Sequence, residues 1–225
     1  MELSSHQLPP GPKLNLGCGP VQPEGWVNID GSNRAWFSSR LAFLDRLLVQ
    51  LRLLPPSIFN SRIKICNLLK PLPYADNSVS CIYAGELWEH LEYPDAERLT
   101  AECFRVLAPN GVLRIRVPDG IEFWETYLEL HRMAMATPRA ERSAEKVRKH
   151  VEMYFREICT RRLWFASMGH THKWQFDEVQ LVELFESVGF TAVDRMDYQK
   201  SRISDVASVE LKDRLMVEGV KANSQ

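Results

Sequence analysis

The chain has 225 residues, enough for one sizeable α/β domain with a full core and short for two. Its 28 basic residues (Lys and Arg) nearly balance 29 acidic ones (Asp and Glu), so the net charge of -1 gives no overall attraction to nucleic acid. The five cysteines include no C-x-x-C pair, which favours reduced thiols over a disulfide framework or a zinc site. Residues 1–11 lack a secretory pattern and no long uncharged apolar run occurs, so we expect a soluble, cytoplasmic protein.

The first predicted strand, residues 13–16, leads into a loop in which Gly17 and Gly19 flank Cys18. Glycines at the end of a strand allow a ligand to approach the backbone closely. A second short apolar run ends at Asp30, which places this carboxylate at the carboxyl end of a neighbouring parallel strand. A carboxylate there suits a ribose diol, so the stretch predicts a nucleoside-containing cofactor. The alternative is a tight strand-to-turn connection with no ligand.

The spacing of this stretch also limits which nucleoside cofactor fits. Residues 20–25 alone remain for a crossover to the second strand, and they include two prolines. No complete helix fits there to face a pyrophosphate, so NAD and FAD are disfavoured.

Further motifs follow in a fixed order along the chain: LNLGCGP at 14–20, GWVNID at 25–30, NLLKPLPYADNS at 67–78, EHL at 89–91 and RVLAPNG at 105–111. This set resembles the class I S-adenosylmethionine-dependent methyltransferases of the methyltransferase type 11 group, and the resemblance covers most of the region from Lys13 to Phe190. It implies a three-layer, Rossmann-like α/β sandwich with a mostly parallel seven-stranded sheet and an antiparallel last strand. It also implies S-adenosylmethionine as the cofactor.

The resemblance adds residues to the predicted cofactor site. Members of the group commonly carry an acid facing adenine where this chain has Asn67, followed by Leu68; an amide can both accept from and donate to the base. Gly85 ends the fourth predicted strand and permits close approach, and Glu86 follows it. The predicted cofactor site therefore consists of Gly17, Cys18, Gly19, Asp30, Asn67, Leu68, Gly85 and Glu86.

Two long connections are predicted to be helical insertions in a single domain spanning 1–225, with residues 1–12 flexible. Residues 33–62 contain an amphipathic stretch that ends at Pro55, which predicts a crossover helix packed on the sheet. Its additional apolar residues leave open a contact of 40–54 with an acyl chain, a membrane surface or a partner. Residues 121–175 form the second insertion, a substrate lid whose helix is broken near Pro138.

Several polar residues are candidates for catalysis and substrate binding. Asp119 either orients a substrate or caps the next helix, and the charged residues after the fourth strand, Glu89 and His90, either reach the ligands or are solvated capping residues. The segment GHTHKW at 169–174 matches a His-x-Trp region of the resembling group near the substrate mouth. We assign Asp119, His170 and Trp174 to the substrate. The two histidines at 170 and 172 have no nearby cysteine or obvious third ligand, so no metal site is predicted.

His172 is the preferred general base, ahead of His90, because it lies in a glycine-led, aromatic-flanked loop after the long insertion. The alternative is that His172 only anchors this loop. The overall prediction is methyl transfer from S-adenosylmethionine to an oxygen or nitrogen nucleophile of a small molecule, a sugar or a lipid-linked intermediate, with nucleic acid not expected. The alternative is a non-catalytic partner or sensor protein that binds S-adenosylmethionine or S-adenosylhomocysteine.

Overall fold

The computed structural model describes residues 6–54, 62–159, 171–212 and 214–223. Within these ranges one sheet of seven strands runs in the order β3-β2-β1-β4-β5-β7-β6. Strand β7 pairs antiparallel with both β5 and β6, and the other pairs are parallel, which confirms the predicted fold class. The strands are β1 (Lys13–Leu16), β2 (Val27–Asp30), β3 (Lys64–Ile65), β4 (Val79–Gly85), β5 (Leu107–Val117), β6 (Phe190–Arg195) and β7 (Leu215–Lys221).

Six α-helices connect the strands in the part of the chain that the structure describes, and none of them is long and apolar enough to span a membrane. Ser32, Asp119 and Asp177 each begin a helix by accepting a hydrogen bond from a backbone N–H in its first turn. The helices are α1 (Asn33–Arg40), α2 (Ala42–Gln50), α3 (Tyr93–Val106), α4 (Gly120–Ala136), α5 (Glu145–Cys159) and α6 (Glu178–Ser187). Two 3₁₀ turns are formed by Trp88–His90 and Val206–Ser208.

The first insertion differs from the predicted single crossover helix. The Ser32 cap starts α1 well before residue 40, and Leu41 leaves helical geometry, so two short helices replace one. Leu41, Leu44 and Leu51, on the helical face that was expected to pack on the sheet, are exposed, so the predicted packing is wrong at these positions. The second insertion contains α4 and α5 with a break at Thr137, where the sequence predicted one.

The sheet has an apolar core on each face because successive strand residues point to opposite sides. In β4, Ile82 belongs to the larger core, to which α3 and α6 contribute. Cys81 and Tyr83 belong to the second core. There the covering residues come from a 3₁₀-containing segment, 201–210, and from Leu8. The segment 201–213 had no predicted role; its residues 201–210 cover the second face of the sheet.

A buried ion network fixes this covering segment to the sheet. Arg114 in β5 donates to Glu210 at 2.6 Å and to Glu218 in β7 at 2.9 Å, and all three side chains have no exposed surface. Asp205 extends the attachment to β1 through an ion pair with Lys13 and a hydrogen bond of 3.0 Å from the Trp26 indole. These contacts attach Asp205 and Glu210 of the covering segment to β1 and β5.

Candidate functional site

The glycine loop lies where the carboxyl ends of β1 and β2 meet. These strands pair in parallel, with Leu16 opposite Ile29, and residues 17–26 contain no helix. Gly17 and Gly19 both have left-handed backbone angles, with φ of 63° and 48°. The Cys18 N–H donates to the Ile29 carbonyl at 3.1 Å, which ties the loop to β2. Burial raises the pKa of the Cys18 thiol to about 12, so this cysteine is not a nucleophile near neutral pH.

Asp30, the last residue of β2, accepts hydrogen bonds from the glycine loop and from the residue that caps α1. Its carboxylate accepts from the Gly19 N–H at 3.2 Å and from the Ser32 N–H at 2.8 Å, and the residue is only 7% exposed. A carboxylate has about four acceptor positions, so two protein bonds leave capacity for ribose hydroxyls. A β-carbon at Gly19 would meet no atom closer than 3.9 Å, so the loop is open to a ligand on that side. These residues fit the nucleoside part of S-adenosylmethionine.

The next two predicted cofactor residues follow β3. Asn67 is exposed, and its side-chain oxygen accepts from the Leu69 N–H at 2.9 Å in a local turn. The side-chain amide nitrogen of Asn67 is then the group that can donate a hydrogen bond to the adenine base. Leu68 is buried in the larger core and positions this turn through packing.

Gly85 and Glu86 at the end of β4 are engaged by the protein itself. A β-carbon at Gly85 would lie 2.8 Å from the Tyr83 hydroxyl, so any larger residue would have to displace the Tyr83 ring. Glu86 has a left-handed φ of 58° and accepts from Arg116 at 2.8 Å and from Arg214 at 3.0 Å. The two arginines thus hold this carboxylate at the sheet edge.

Both candidate bases lie in one cluster with Glu89. The ring centroids of His90 and His172 are 5.0 Å apart in an edge-to-face arrangement. One potential ligand atom from each of Glu89, His90 and His172 lies within 4.8 Å of the others. His90 Nδ1 lies 3.2 Å from the Thr171 carbonyl oxygen, and the Glu89 carbonyl accepts from the Lys173 N–H at 2.7 Å. These contacts hold the two distant segments together.

Glu89 is the member for which the sequence left open whether it reaches the ligands or is a solvated capping residue. It is 1% exposed, whereas the alternative reading expected a solvated residue. Neither carboxylate oxygen has a hydrogen-bond partner among the residues that the structure describes. Burial is the largest cause that raises the pKa of Glu89, to about 8. The only sequence signal was its position in the EHL motif.

The three predicted substrate residues have different surroundings. Asp119 caps α4 by accepting from the Ile121 N–H and pairs with Arg195 at 3.2 Å. Trp174 is 41% exposed, packs its ring 5.1 Å from Tyr93 and donates its indole N–H to Gln180. His170 lies outside the described residues.

The glycine loop and the histidine cluster lie side by side. A β-carbon at Gly17 would contact Leu87 at 3.2 Å, and Leu87 is two residues before Glu89 in the chain. Two residues span at most about 7 Å, so the carboxylate cluster begins next to the glycine loop. One edge of the sheet therefore combines the glycine loop with a carboxylate and two imidazoles.

Residues 14–115 match a family model described as a methyltransferase domain. This segment includes every predicted cofactor residue from Gly17 to Glu86. The resemblance to class I S-adenosylmethionine-dependent methyltransferases is thereby confirmed over this segment, and S-adenosylmethionine is the cofactor of this class. Comparison with curated protein sequences gave no match.

Solved structures of methyltransferases share the fold at low sequence identity. The apo structure of the S-adenosylmethionine-dependent methyltransferase SibL is 9% identical with a TM-score of 0.50, over 99% of this chain and 53% of that one. A possible histamine N-methyltransferase from Thermotoga maritima is 15% identical with a TM-score of 0.47, over 95% and 84%. The CMeT domain of the citrinin polyketide synthase is 14% identical with a TM-score of 0.48, over 96% of this chain; the chain spans about half of that structure, 47%.

Proposed function

We propose that this protein is an enzyme that transfers a methyl group from S-adenosylmethionine to an oxygen or nitrogen nucleophile of a small molecule. The observation that carries the proposal is the contact of Leu87 with the glycine loop, because it brings Asp30 and the histidine cluster to the same edge of the sheet. A site for the methyl donor and a site that can receive a proton then adjoin.

The protein's residues have mainly to align the two reactants. S-adenosylmethionine, when bound, supplies an electrophilic methyl group on a good leaving group, so proximity and exclusion of water account for most of the required catalysis. Asp30 and the glycine loop orient the nucleoside part of the cofactor. An acceptor hydroxyl or ammonium group must also lose a proton, and an imidazole of His172 or His90 takes it.

The surroundings of the cluster favour a small acceptor with a ring or apolar face. Trp174 and Tyr93 form an aromatic pair beside His172, and Trp174 is partly exposed. Aromatic faces of this kind pack against sugar rings and other flat or apolar groups. The balanced net charge gives no support to a nucleic acid acceptor. We therefore propose a small molecule, a sugar or a lipid-linked intermediate as the substrate class.

Calorimetry and a transfer assay test the proposal together. The protein is titrated with S-adenosylmethionine, with S-adenosylhomocysteine and, as a control, with NAD, for which residues 17–26 provide no helix N-terminus. It is then incubated with cell extract and methyl-labelled cofactor, and labelled products are identified by mass spectrometry. We expect both sulfur nucleosides to bind, NAD not to bind, and label to appear on a small molecule.

Each negative result of these assays would reject a different hypothesis. Absence of binding for both sulfur nucleosides would reject the enzyme and the sensor hypotheses alike. Binding without transfer to any component of the extract would favour the non-catalytic sensor. Label on RNA would reject the proposed substrate class while leaving methyl transfer intact.

A further inference from the structure

The cluster of Glu89, His90 and His172 has the composition of a metal site. We propose that these three side chains bind one divalent first-row transition-metal cation, with zinc the best match. Two imidazole nitrogens and one carboxylate oxygen are a ligand set that zinc takes in proteins, with a fourth position left open for water or a substrate atom. This proposal does not depend on methyl transfer, since metal binding is measured on the protein alone. The proton-accepting role proposed above for His172 or His90 belongs to the metal-free protein, because a coordinated imidazole nitrogen has no lone pair left to take a proton.

The distances in the cluster suit closure around a small cation. At metal–ligand distances of 2.0–2.2 Å, tetrahedral ligand atoms lie about 3.4 Å from one another. The potential ligand atoms here lie within 4.8 Å of one another, so each has to move inward by about 1 Å or less. Both histidines are only partly buried, and rotation of their side chains supplies that movement.

The hydrogen bond of His90 prepares one imidazole for coordination. The Thr171 carbonyl can only accept, so His90 Nδ1 carries the proton in this contact and Nε2 carries the lone pair. Metal-bound histidines commonly donate their other N–H to a backbone carbonyl in this way, which fixes the tautomer and the ring orientation.

The backbone fixes the spacing between the ligands. The Glu89 carbonyl accepts from the N–H groups of Lys173 and Trp174, on the C-terminal side of His172. Thr171, on the other side of His172, accepts from His90. The ligands from two distant segments are thus held by three hydrogen bonds that do not involve the ligand atoms themselves.

A bound cation would compensate the buried carboxylate of Glu89. It is 1% exposed and both oxygens lack a hydrogen-bond partner within the described ranges. The nearby arginines, Arg116 and Arg214, both pair with Glu86 instead. A buried, unpaired carboxylate is costly, and coordination to a cation removes that cost.

Zinc titration of metal-free protein tests the site. Protein treated with chelator and desalted is titrated with zinc chloride by calorimetry, and cobalt(II) is added in parallel as a spectroscopic probe. We expect one equivalent of zinc to bind, and cobalt to give visible d–d bands without thiolate charge-transfer bands. His172→Ala and Glu89→Gln should each weaken binding about 10-fold or more. His131→Ala, an exposed histidine on α4, should leave it unchanged.

Circular dichroism establishes that each variant is folded, and His172→Ala serves if the buried Glu89→Gln does not fold. Absence of stoichiometric zinc binding by the wild-type protein would overturn the proposal. Binding that persists unchanged in His172→Ala would also overturn it. So would thiolate charge-transfer bands that vanish on alkylation, because they would place the cation on a cysteine.

Discussion

The backbone carbonyl of Glu89 accepts a hydrogen bond of 2.7 Å from the N–H of Lys173. Glu89 follows β4 directly, while Lys173 lies beyond the long helical insertion of α4 and α5. This bond therefore attaches the end of the predicted substrate lid to the edge of the sheet that carries the glycine loop. It places the side chain of His172 beside His90 and next to the proposed acceptor position.

Replacement of His172 tests its part in catalysis. His172→Gln should slow methyl transfer roughly 10²–10⁴-fold, because proton removal from the acceptor loses its positioned group. Cofactor affinity measured by calorimetry should stay unchanged, since Asp30 and the glycine loop are intact. His131→Gln on α4 is the matched control and should have wild-type activity. Near-normal turnover across the pH range would refute the role; a small rate loss with a lower melting temperature would indicate a loop anchor instead.

The sequence predicted the local part of the site and missed the part that depends on long-range contacts. Gly17 to Asp30 lie within one strand-loop-strand unit, so spacing alone indicated how they meet. The contact of Glu89 and His90 with His172 joins positions about 80 residues apart, as does the bond from His90 to Thr171 with a separation of 81. No local pattern specifies such a pairing, so the sequence gives no indication that Glu89 lies beside both His90 and His172.

The same distinction holds for the fold. The order and type of the central strands follow from alternating apolar runs and turn residues, so the sheet was predictable. The segment 201–213 has no strong periodicity. Its position over the second core depends on ion pairs with residues far away in the chain, such as Lys13 with Asp205. The first insertion also contains exposed apolar residues, such as Phe43. The local sequence does not predict what such residues contact.

Arg114 should be essential for stability. Arg114→Met leaves Glu210 and Glu218 with buried carboxylates that lose their main cationic partner, so we expect a loss of about 3–5 kcal/mol in the free energy of unfolding. Urea denaturation measures it. Arg98→Met is the matched control, since that arginine is largely exposed and pairs with Asp95 at the surface, and it should cost about 1 kcal/mol or less. Equal losses for the two variants would contradict the assignment.

The ion pair of Glu102 with Arg105 should give a stability contribution that disappears in acid. The hydrogen bond from Arg105 is the main cause that lowers the pKa of Glu102 in the folded protein. A lowered folded-state pKa contributes stability above the unfolded-state value of about 4.3, and this contribution is lost as the pH falls through the folded-state value. Glu102→Gln should therefore lower the melting temperature at pH 7, and its difference from wild type should shrink as the pH falls below the unfolded-state value of about 4.3.

Asp76→Asn is the control for this pH dependence. Asp76 also pairs with Arg105, but its side chain is 69% exposed. Exposed pairs contribute little, so the variant should follow the wild-type melting curve at every pH. A Glu102→Gln difference that stays constant from pH 7 to pH 3 would show that packing, not ionisation, is responsible.

Asp30 should determine cofactor affinity. If its carboxylate accepts from the ribose hydroxyls, Asp30→Ala removes charge-assisted hydrogen bonds and should cost roughly 2–4 kcal/mol of binding to S-adenosylmethionine. Gly19 and Ser32 donate to different oxygens of Asp30, so Asp30→Asn keeps an acceptor for only one of them, but it retains a polar group at the ribose and should lose less. Asp194→Ala, on edge strand β6 at the far side of the sheet, is the matched control and should bind like wild type. Unchanged affinity in folded Asp30→Ala protein would remove Asp30 from the cofactor site, and the glycine loop would then serve only to connect β1 and β2.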